Sequence, residues 1–507
     1  MKKIYVKEWM ELHPYTSSNE IDLFYTNIAN KIYACLQTLF DVDVFKNDTN
    51  MRFTSLCIAA WFEDIISKTG IWTTFIDTCH KRYGFYLPFF SLNENYIRGD
   101  INTEDVRFIL WHHIQTLLRD EKIIHPQNEI LEYAASEIYK IIDEAYETAP
   151  ENKQMQSLLC NPNFGKDDFF AYREILEWFH YYCYINIENL NELQKEAKTL
   201  FNDSEYDKDT LSIQLYGLRM EYLIKGRKSL LSLHSYEWLA SLWKCTNNHE
   251  LFEKVKPLDS QFFLYENEDE KFLYVKNLIS NEKITIQKES VNLDSIKDRK
   301  PNQSVLLCSL IYYGDCWWQC GSLMHCILDE KLQQYIDEEK LKLNKTNAQH
   351  IFQSFIKVTN GNMFAFFKSG KEMNDFLQSQ LHLNLKSQSD IPIHETEHGL
   401  ILIATPDDGI YIQTQFCECI KSVDNSFYNQ EEAMKYSILF YVNENVVPYE
   451  ISCILQDKNM LPDACFEPNN GIHDTHFVSI YGKFITDYFF HKCREKDFSP
   501  LNMEILK

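Results

Sequence analysis

Apolar residues recur every three to four positions through the first half of the chain. Ile21, Phe24, Ile28, Ile32, Leu36 and Leu39 form one helical stripe. Ahead of it stand Ser17 and Glu20, at the spacing of a capping box. The segment 52–68 puts Phe53, Cys57, Trp61, Phe62 and Ile65 on one face, with Gly70 just past its end. Asn102 is placed to cap a third helix whose apolar side is Phe108, Leu110, Trp111 and Ile114. The same period predicts helices over 130–149, 168–184, 190–201, 208–224 and 236–244. Residues 1–257 therefore read as an all-α region.

The period then changes. Segments 262–265, 271–275, 283–286, 305–313 and 316–321 have strand character, separated by charged or polar turns. Five short strands in one run predict a small β-barrel-like module over 258–327. Gly314-Asp315 marks a hairpin turn flanked by Tyr312, Tyr313, Trp317 and Trp318. Strand alternation sends Trp318 to one face and Trp317 to the other. One tryptophan must therefore leave the barrel interior, either to pack on the helical region or to form an exposed aromatic platform. Tyr313, Trp317 and Trp318 are the interaction candidates on this account.

Residues 328–507 read as an α+β domain. An amphipathic helix over 328–343 precedes two hairpins. The first joins 355–359 to 363–367 across Asn360-Gly361, the second 400–404 to 410–412 across Pro406-Asp407-Asp408-Gly409. Helices are expected over 370–381, 415–421, 431–441, 449–455 and 476–493. The fold class is multi-domain α+β: a mostly helical N-terminal half, the small β-module and the C-terminal α+β domain.

Charge and composition narrow the function. The 507 residues carry 74 Asp and Glu against 50 Lys and Arg, a formal net charge of -24, which repels phosphate backbones and argues against nucleic-acid binding. The 15 cysteines are odd in number, irregularly spaced and without a C-x-x-C pair, so metal ribbons and secreted disulfide frameworks are not expected. No run approaches the roughly 18 apolar residues that cross a bilayer. Lys7 and Glu8 also break any leader-like apolar stretch, and a reduced, cytoplasmic protein is expected. Among only 14 glycines, neither G-x-x-x-x-G-K-[ST], G-x-G-x-x-G nor G-x-S-x-G occurs.

Candidate chemistry is sparse. His394-Glu395-Thr396-Glu397-His398 matches H-E-x-x-H, which on one helix face brings two imidazoles to zinc, and Glu418 stands at a spacing suited to a third ligand. The segment is short and runs into the strand at 400–404, so a non-zinc reading has the better claim. Glu177 and His180 form an E-x-x-H unit without a second copy, which favours a partly buried structural histidine. His112-His113 and Glu63-Asp64 read as the solvated sides of two helices. Asp463, His473, Asp474 and His476 gather in a loop, with Asp474 as a helix cap the simpler account. Cys417 and Cys419 point apart on a helix and make no redox pair.

Several stretches carry a family likeness: residues 1–9, 61–72, Tyr83-Gly84-Phe85-Tyr86-Leu87-Pro88-Phe89, 102–111 and Leu461-Pro462-Asp463-Ala464. Together they resemble a family of uncharacterised bacterial proteins designated only as a domain of unknown function. The resemblance spans most of the chain and implies a bacterial, cytoplasmic protein. Its motifs concern packing, so it supplies no catalytic residues. The expectation is a non-enzymatic interaction or scaffold protein with a protein partner, no nucleic acid, no membrane and no cofactor. The alternative is a zinc-dependent hydrolase at His394, His398 and Glu418, with zinc as its only cofactor.

Overall fold

The first long helix, Glu20–Leu39, is capped by Asn19 rather than Ser17. The Asn19 Oδ1 accepts the Ile21 and Asp22 amides at 2.8 and 3.3 Å, and the Asn19 amide donates to Asp22 Oδ2 at 2.8 Å. The capping box is therefore real but lies two residues further along, at Asn19 and Asp22, and Asp22 is also held by tertiary contacts described below. The computed structural model describes residues 3–117, 124–203, 207–342, 346–385, 395–406, 409–462, 477–491 and 503–505. They divide into two units, Met1–Ile336 and Asp337–Lys507.

In the first unit the helix Asp48–Ser67 is buried on nearly every side and runs through the core, polar residues such as Thr54, Glu63 and Asp64 included. It ends at Lys68 in the left-handed region, and Gly70 (φ 89°) begins a further helix, Ile71–Tyr83, which the periodicity did not mark. Thr103–Leu117, Glu129–Tyr146, Phe169–Tyr181, Lys208–Lys225 and Ser235–Leu242 follow the apolar stripes that predicted them.

Five strands follow: β1 (Lys256–Glu268), β2 (Phe272–Asn277), β3 (Lys283–Gln287), β4 (Ser304–Tyr313) and β5 (Cys316–Ile327). They close as a barrel in the order β1-β2-β3-β5-β4, antiparallel except where β3 meets β5. Alternate residues such as Phe263, Val275, Ile286 and Leu310 fill the interior. The barrel and the helices share one unit. Trp318, fully buried, leaves the barrel and stacks on Phe169 at 4.9 Å and 18°. Its indole N–H donates to the Tyr313 carbonyl at 3.0 Å. Tyr313 stacks on Tyr172 at 4.9 Å and donates its hydroxyl to the Gly165 carbonyl at 2.8 Å. Trp317 is half-buried and packs on the barrel core. Tyr313 and Trp318 therefore join the barrel to the helix Phe169–Tyr181 and present no surface platform.

In the second unit β6 (Phe364–Ser369), β8 (Glu395–Thr405) and β9 (Gly409–Gln413) form an antiparallel sheet in the order β6-β8-β9. The strand β7 (Leu383–Leu385) pairs with β10 (Met503–Ile505). The expected β8/β9 hairpin is present, with Thr405 opposite Gly409. The other expected hairpin is not, because Thr346–Val358 is a helix that buries Phe355 in the sheet core. Asn360 and Gly361 both adopt positive φ, 53° and 91°, and the Gly361 amide reaches the Ile356 carbonyl at 2.8 Å. Consecutive left-handed residues end a helix as readily as they turn a hairpin, so Asn-Gly alone does not separate the two. The expected helix over 415–421 shrinks to a single 3₁₀ turn, Cys417–Cys419.

Candidate functional site

The N-terminal segment contributes more than its length suggests. After a short helix, Val6–Met10, it crosses the helical core and is held there by buried polar groups. The His13 Nδ1 lies 2.9 Å from the Trp9 carbonyl, which can only accept, so that nitrogen carries a proton. The Nε2 lies 2.7 Å from Glu63 Oε2. Burial works against a charged imidazole, but the Glu63 carboxylate outweighs it and the His13 pKa lies above its ordinary value. Glu63 Oε1 accepts from Asn152 Nδ2 at 2.9 Å, and the same amide donates to the Tyr15 hydroxyl at 2.7 Å. Tyr15 in turn donates to Asp22 Oδ1 at 2.8 Å, which also takes the Trp9 indole N–H at 3.0 Å. With both His13 ring nitrogens engaged, the network clasps the segment and leaves no imidazole lone pair to act on a ligand.

Asp64 lies beside it and is equally saturated. It accepts the Thr69 hydroxyl, the Gly70 amide at 2.9 Å, the Trp72 amide at 2.7 Å and the Tyr184 hydroxyl at 2.7 Å. It thus caps the helix Ile71–Tyr83 from the preceding helix, since Gly70 has no side chain to do so. Burial raises its pKa, and these donors offset part of the rise. A void of about 10 Å³, room for no more than about one water, is lined by His13, Glu63 and Asp64.

In front of His13 opens a groove of about 540 Å³, within the size range of ligand sites. One wall is the segment from Lys7 to Thr16; the other is the helix Phe169–Tyr181 with Tyr182, and Arg219 reaches in from Lys208–Lys225. Trp178 anchors the floor by donating its indole N–H to the Leu12 carbonyl at 2.9 Å. Arg219 Nε lies 3.1 Å from Glu177 Oε2, and its guanidinium carbon sits 4.9 Å from the Tyr181 ring centre. Glu11 and Glu174, both exposed on the groove, have no ion pair or hydrogen bond among the described residues.

Glu177 and His180 part company. Glu177 meets Arg219 on the groove, whereas His180 is fully buried with Nδ1 2.8 Å from Ser235 Oγ. Burial first, then the Lys228 charge, hold its pKa well below the ordinary value, so it stays neutral. His112, His113, Glu63 and Asp64 are buried, not solvated, because the helices that carry them are enclosed on all sides. His113 Nδ1 lies 3.2 Å from Thr54 Oγ1.

The H-E-x-x-H segment falls on β8 from Glu395 onward, and His394 lies outside the described residues. An extended backbone removes the helical face on which the zinc-protease reading depends. The structure does bring His398 and Glu418 together, with Nδ1 2.9 Å from Oε1. A carboxylate on Nδ1 directs the lone pair to Nε2, so Glu418 orients the imidazole rather than standing beside it as a further ligand. Glu418 Oε2 is buried without a hydrogen-bond partner among the described residues. No group of three or more metal-ligating side chains occurs among the described residues. Asp463, His473, Asp474 and His476 lie outside them. Cys417 and Cys419 are buried, and burial pushes the Cys419 thiol up to about 12.

The residues that build the groove and its clasp were not legible as a set. His13, Tyr15, Asp22, Glu63 and Asn152 lie up to 139 positions apart, and no motif connects them. Only local capping signals mark two members: Asn152 caps the helix Lys153–Leu159, and Asp22 completes the capping box of Asn19.

No helix among the described residues is long and apolar enough to cross a membrane. No protein of curated function and no solved structure matches the chain. One family model does, over residues 3–305 and 315–490, taking in the groove and the barrel apart from most of β4. The chain therefore belongs to the family described as Protein of unknown function (DUF3843).

Proposed function

We propose that this protein is a non-enzymatic interaction protein and that the groove between the N-terminal segment and the helix Phe169–Tyr181 is its ligand site. The observation that carries the reading is the contrast between the groove and what lies behind it. The buried carboxylates and His13 are saturated by one another, whereas Glu11 and Glu174 on the groove are unpaired among the described residues. A site with exposed, solvated carboxylates, a fixed aromatic floor and no free imidazole nitrogen at His13 suits binding better than bond-making. A reduced, cytoplasmic setting belongs to the same reading, and no disulfide joins the described cysteines.

A peptide-display selection on the full chain tests this. Binders are re-measured on Met10→Trp and Thr16→Trp, which fill the groove without changing its charge. Groove ligands lose about tenfold or more in affinity, an amount typical of a blocked anchor position. Selected peptides that all bind the two variants undiminished refute the groove.

The hydrolase alternative keeps one favourable observation, the contact between His398 and Glu418. Stoichiometric zinc in protein prepared without chelator, lost in His398→Ala, supports it. Metal-free protein with intact peptide binding counts against it.

A further inference from the structure

Lys7 and Arg219 both line the groove, and how Arg219 is held indicates what else fits. The Arg219 guanidinium rests between a carboxylate and two rings: Glu177 Oε2 at 3.1 Å, with the Tyr181 and Tyr182 ring centres 4.9 and 5.9 Å from its central carbon. Charge and ring quadrupole act together there, the combination by which proteins recognise cations. The rest of the groove repeats those elements, with Glu11 and Glu174 in no ion pair among the described residues. Glu11 comes from the N-terminal segment and Glu174 from the helix Phe169–Tyr181, and the Tyr15 and Tyr182 side chains line the same space.

The formal charges point the same way. Glu177 and Arg219 cancel, and His13 is balanced by Glu63 behind the groove. Glu11 and Glu174 then outnumber Lys7 by one, on a chain whose net charge is -24. Such a concave acidic surface draws cations towards it and disfavours anionic ligands. Its two walls come from separate elements and leave the space open along its length, which suits a length of chain better than an enclosed small molecule.

We infer that the ligand is a basic segment of a partner protein, with an arginine or lysine side chain seated between Glu11 and Glu174 against the tyrosine rings of the groove. This rests on the groove being the binding site. The geometry selects a positive charge with an apolar stem, because the stem lies along rings and Trp178 while the head meets carboxylates.

The test uses fluorescein-labelled, end-blocked octapeptides on the full chain: one alternating arginine with leucine, one with citrulline in place of each arginine. Citrulline keeps the planar shape and removes the charge. The arginine peptide binds wild-type protein, and the citrulline peptide binds about tenfold or more weakly. The double variant Glu11→Gln/Glu174→Gln lowers affinity for the arginine peptide by a similar factor. Glu270→Gln/Glu330→Gln changes net charge equally at exposed positions elsewhere and lowers it less than about twofold. Unchanged unfolding midpoints for both doubles show that the fold is kept.

Equal losses in the two doubles reduce the effect to the general field of an acidic protein and overturn the inference. Citrulline binding as tight as arginine, and still blocked by Met10→Trp, overturns the cationic ligand while leaving the groove in place. Arginine-peptide binding that Met10→Trp does not diminish removes both. Failure of the arginine peptide to bind at about 1 mM, where spermidine binds stoichiometrically, replaces the protein segment with a free polyamine and overturns the inference as stated.

Discussion

Asp105 is a carboxyl enclosed by the helical core, and replacing it with asparagine has a pH-dependent consequence that can be worked from its surroundings. It is fully buried, with Asn102 Nδ2 and the Tyr96 hydroxyl each 3.0 Å from one of its oxygens. Burial raises its pKa from 3.8 to about 7, with these donors offsetting part of the effect. The folded carboxyl thus holds its proton to higher pH than the unfolded one. It favours the fold most below about pH 3.8, and the advantage is lost as pH rises through about 7. At about 1.4 kcal/mol per pKa unit, more than half of a total of roughly 4 kcal/mol, on the order of 2 to 3 kcal/mol, disappears between about pH 5 and about pH 8. Asp105→Asn does not titrate, so the stability gap between variant and wild type must move by that amount in the variant's favour. Hydrogen bonds altered by the amide add a term that does not change with pH and cancels in the comparison. Urea unfolding followed by tryptophan fluorescence is the assay, because all nine tryptophans lie in the first unit and the intact chain reports on that unit alone. A gap constant to within about 0.5 kcal/mol across this range, or one moving the other way, refutes the reasoning.

Three further outcomes follow from the packing. Glu63→Leu leaves His13 buried without its counter-charge and costs about 3–5 kcal/mol, whereas His13→Phe/Glu63→Leu costs well under the sum of the single changes; additive costs in thermal unfolding contradict a coupled pair. Gly314→Ala destabilises by several kcal/mol, because φ is +60° and a Cβ would fall 2.0 Å from the Lys166 carbonyl oxygen. At Gly84, with φ +84° and open space, alanine costs only about 1 kcal/mol, and equal midpoint shifts for the two variants defeat the steric argument. Trp318→Ala costs about 3–5 kcal/mol and Trp317→Ala clearly less, since only Trp318 is fully enclosed; a reversed order in denaturant midpoints is inconsistent with the hairpin's docking.

By itself the sequence determined the elements whose signal is local. Apolar stripes located most helices, the change of period at about residue 257 located the barrel, and alternation around Gly314-Asp315 required Trp317 and Trp318 to part. Scarce glycine and missing motifs gave no support to the common phosphate cradles or to a serine nucleophile elbow. Only tertiary structure decided what those elements surround. Asn360-Gly361 ends a helix instead of turning a hairpin, because the two uses share the same left-handed backbone and Phe355 has a core to enter. Glu63, Asp64, His112 and His113 read as solvated because charge usually follows water, yet partners from remote segments let the interior accept at least the two carboxylates. The groove depends on Glu11, Glu174 and Arg219, which no spacing rule connects. Period and capping act over a few residues, whereas a binding surface is set by side chains that meet only once the chain has folded.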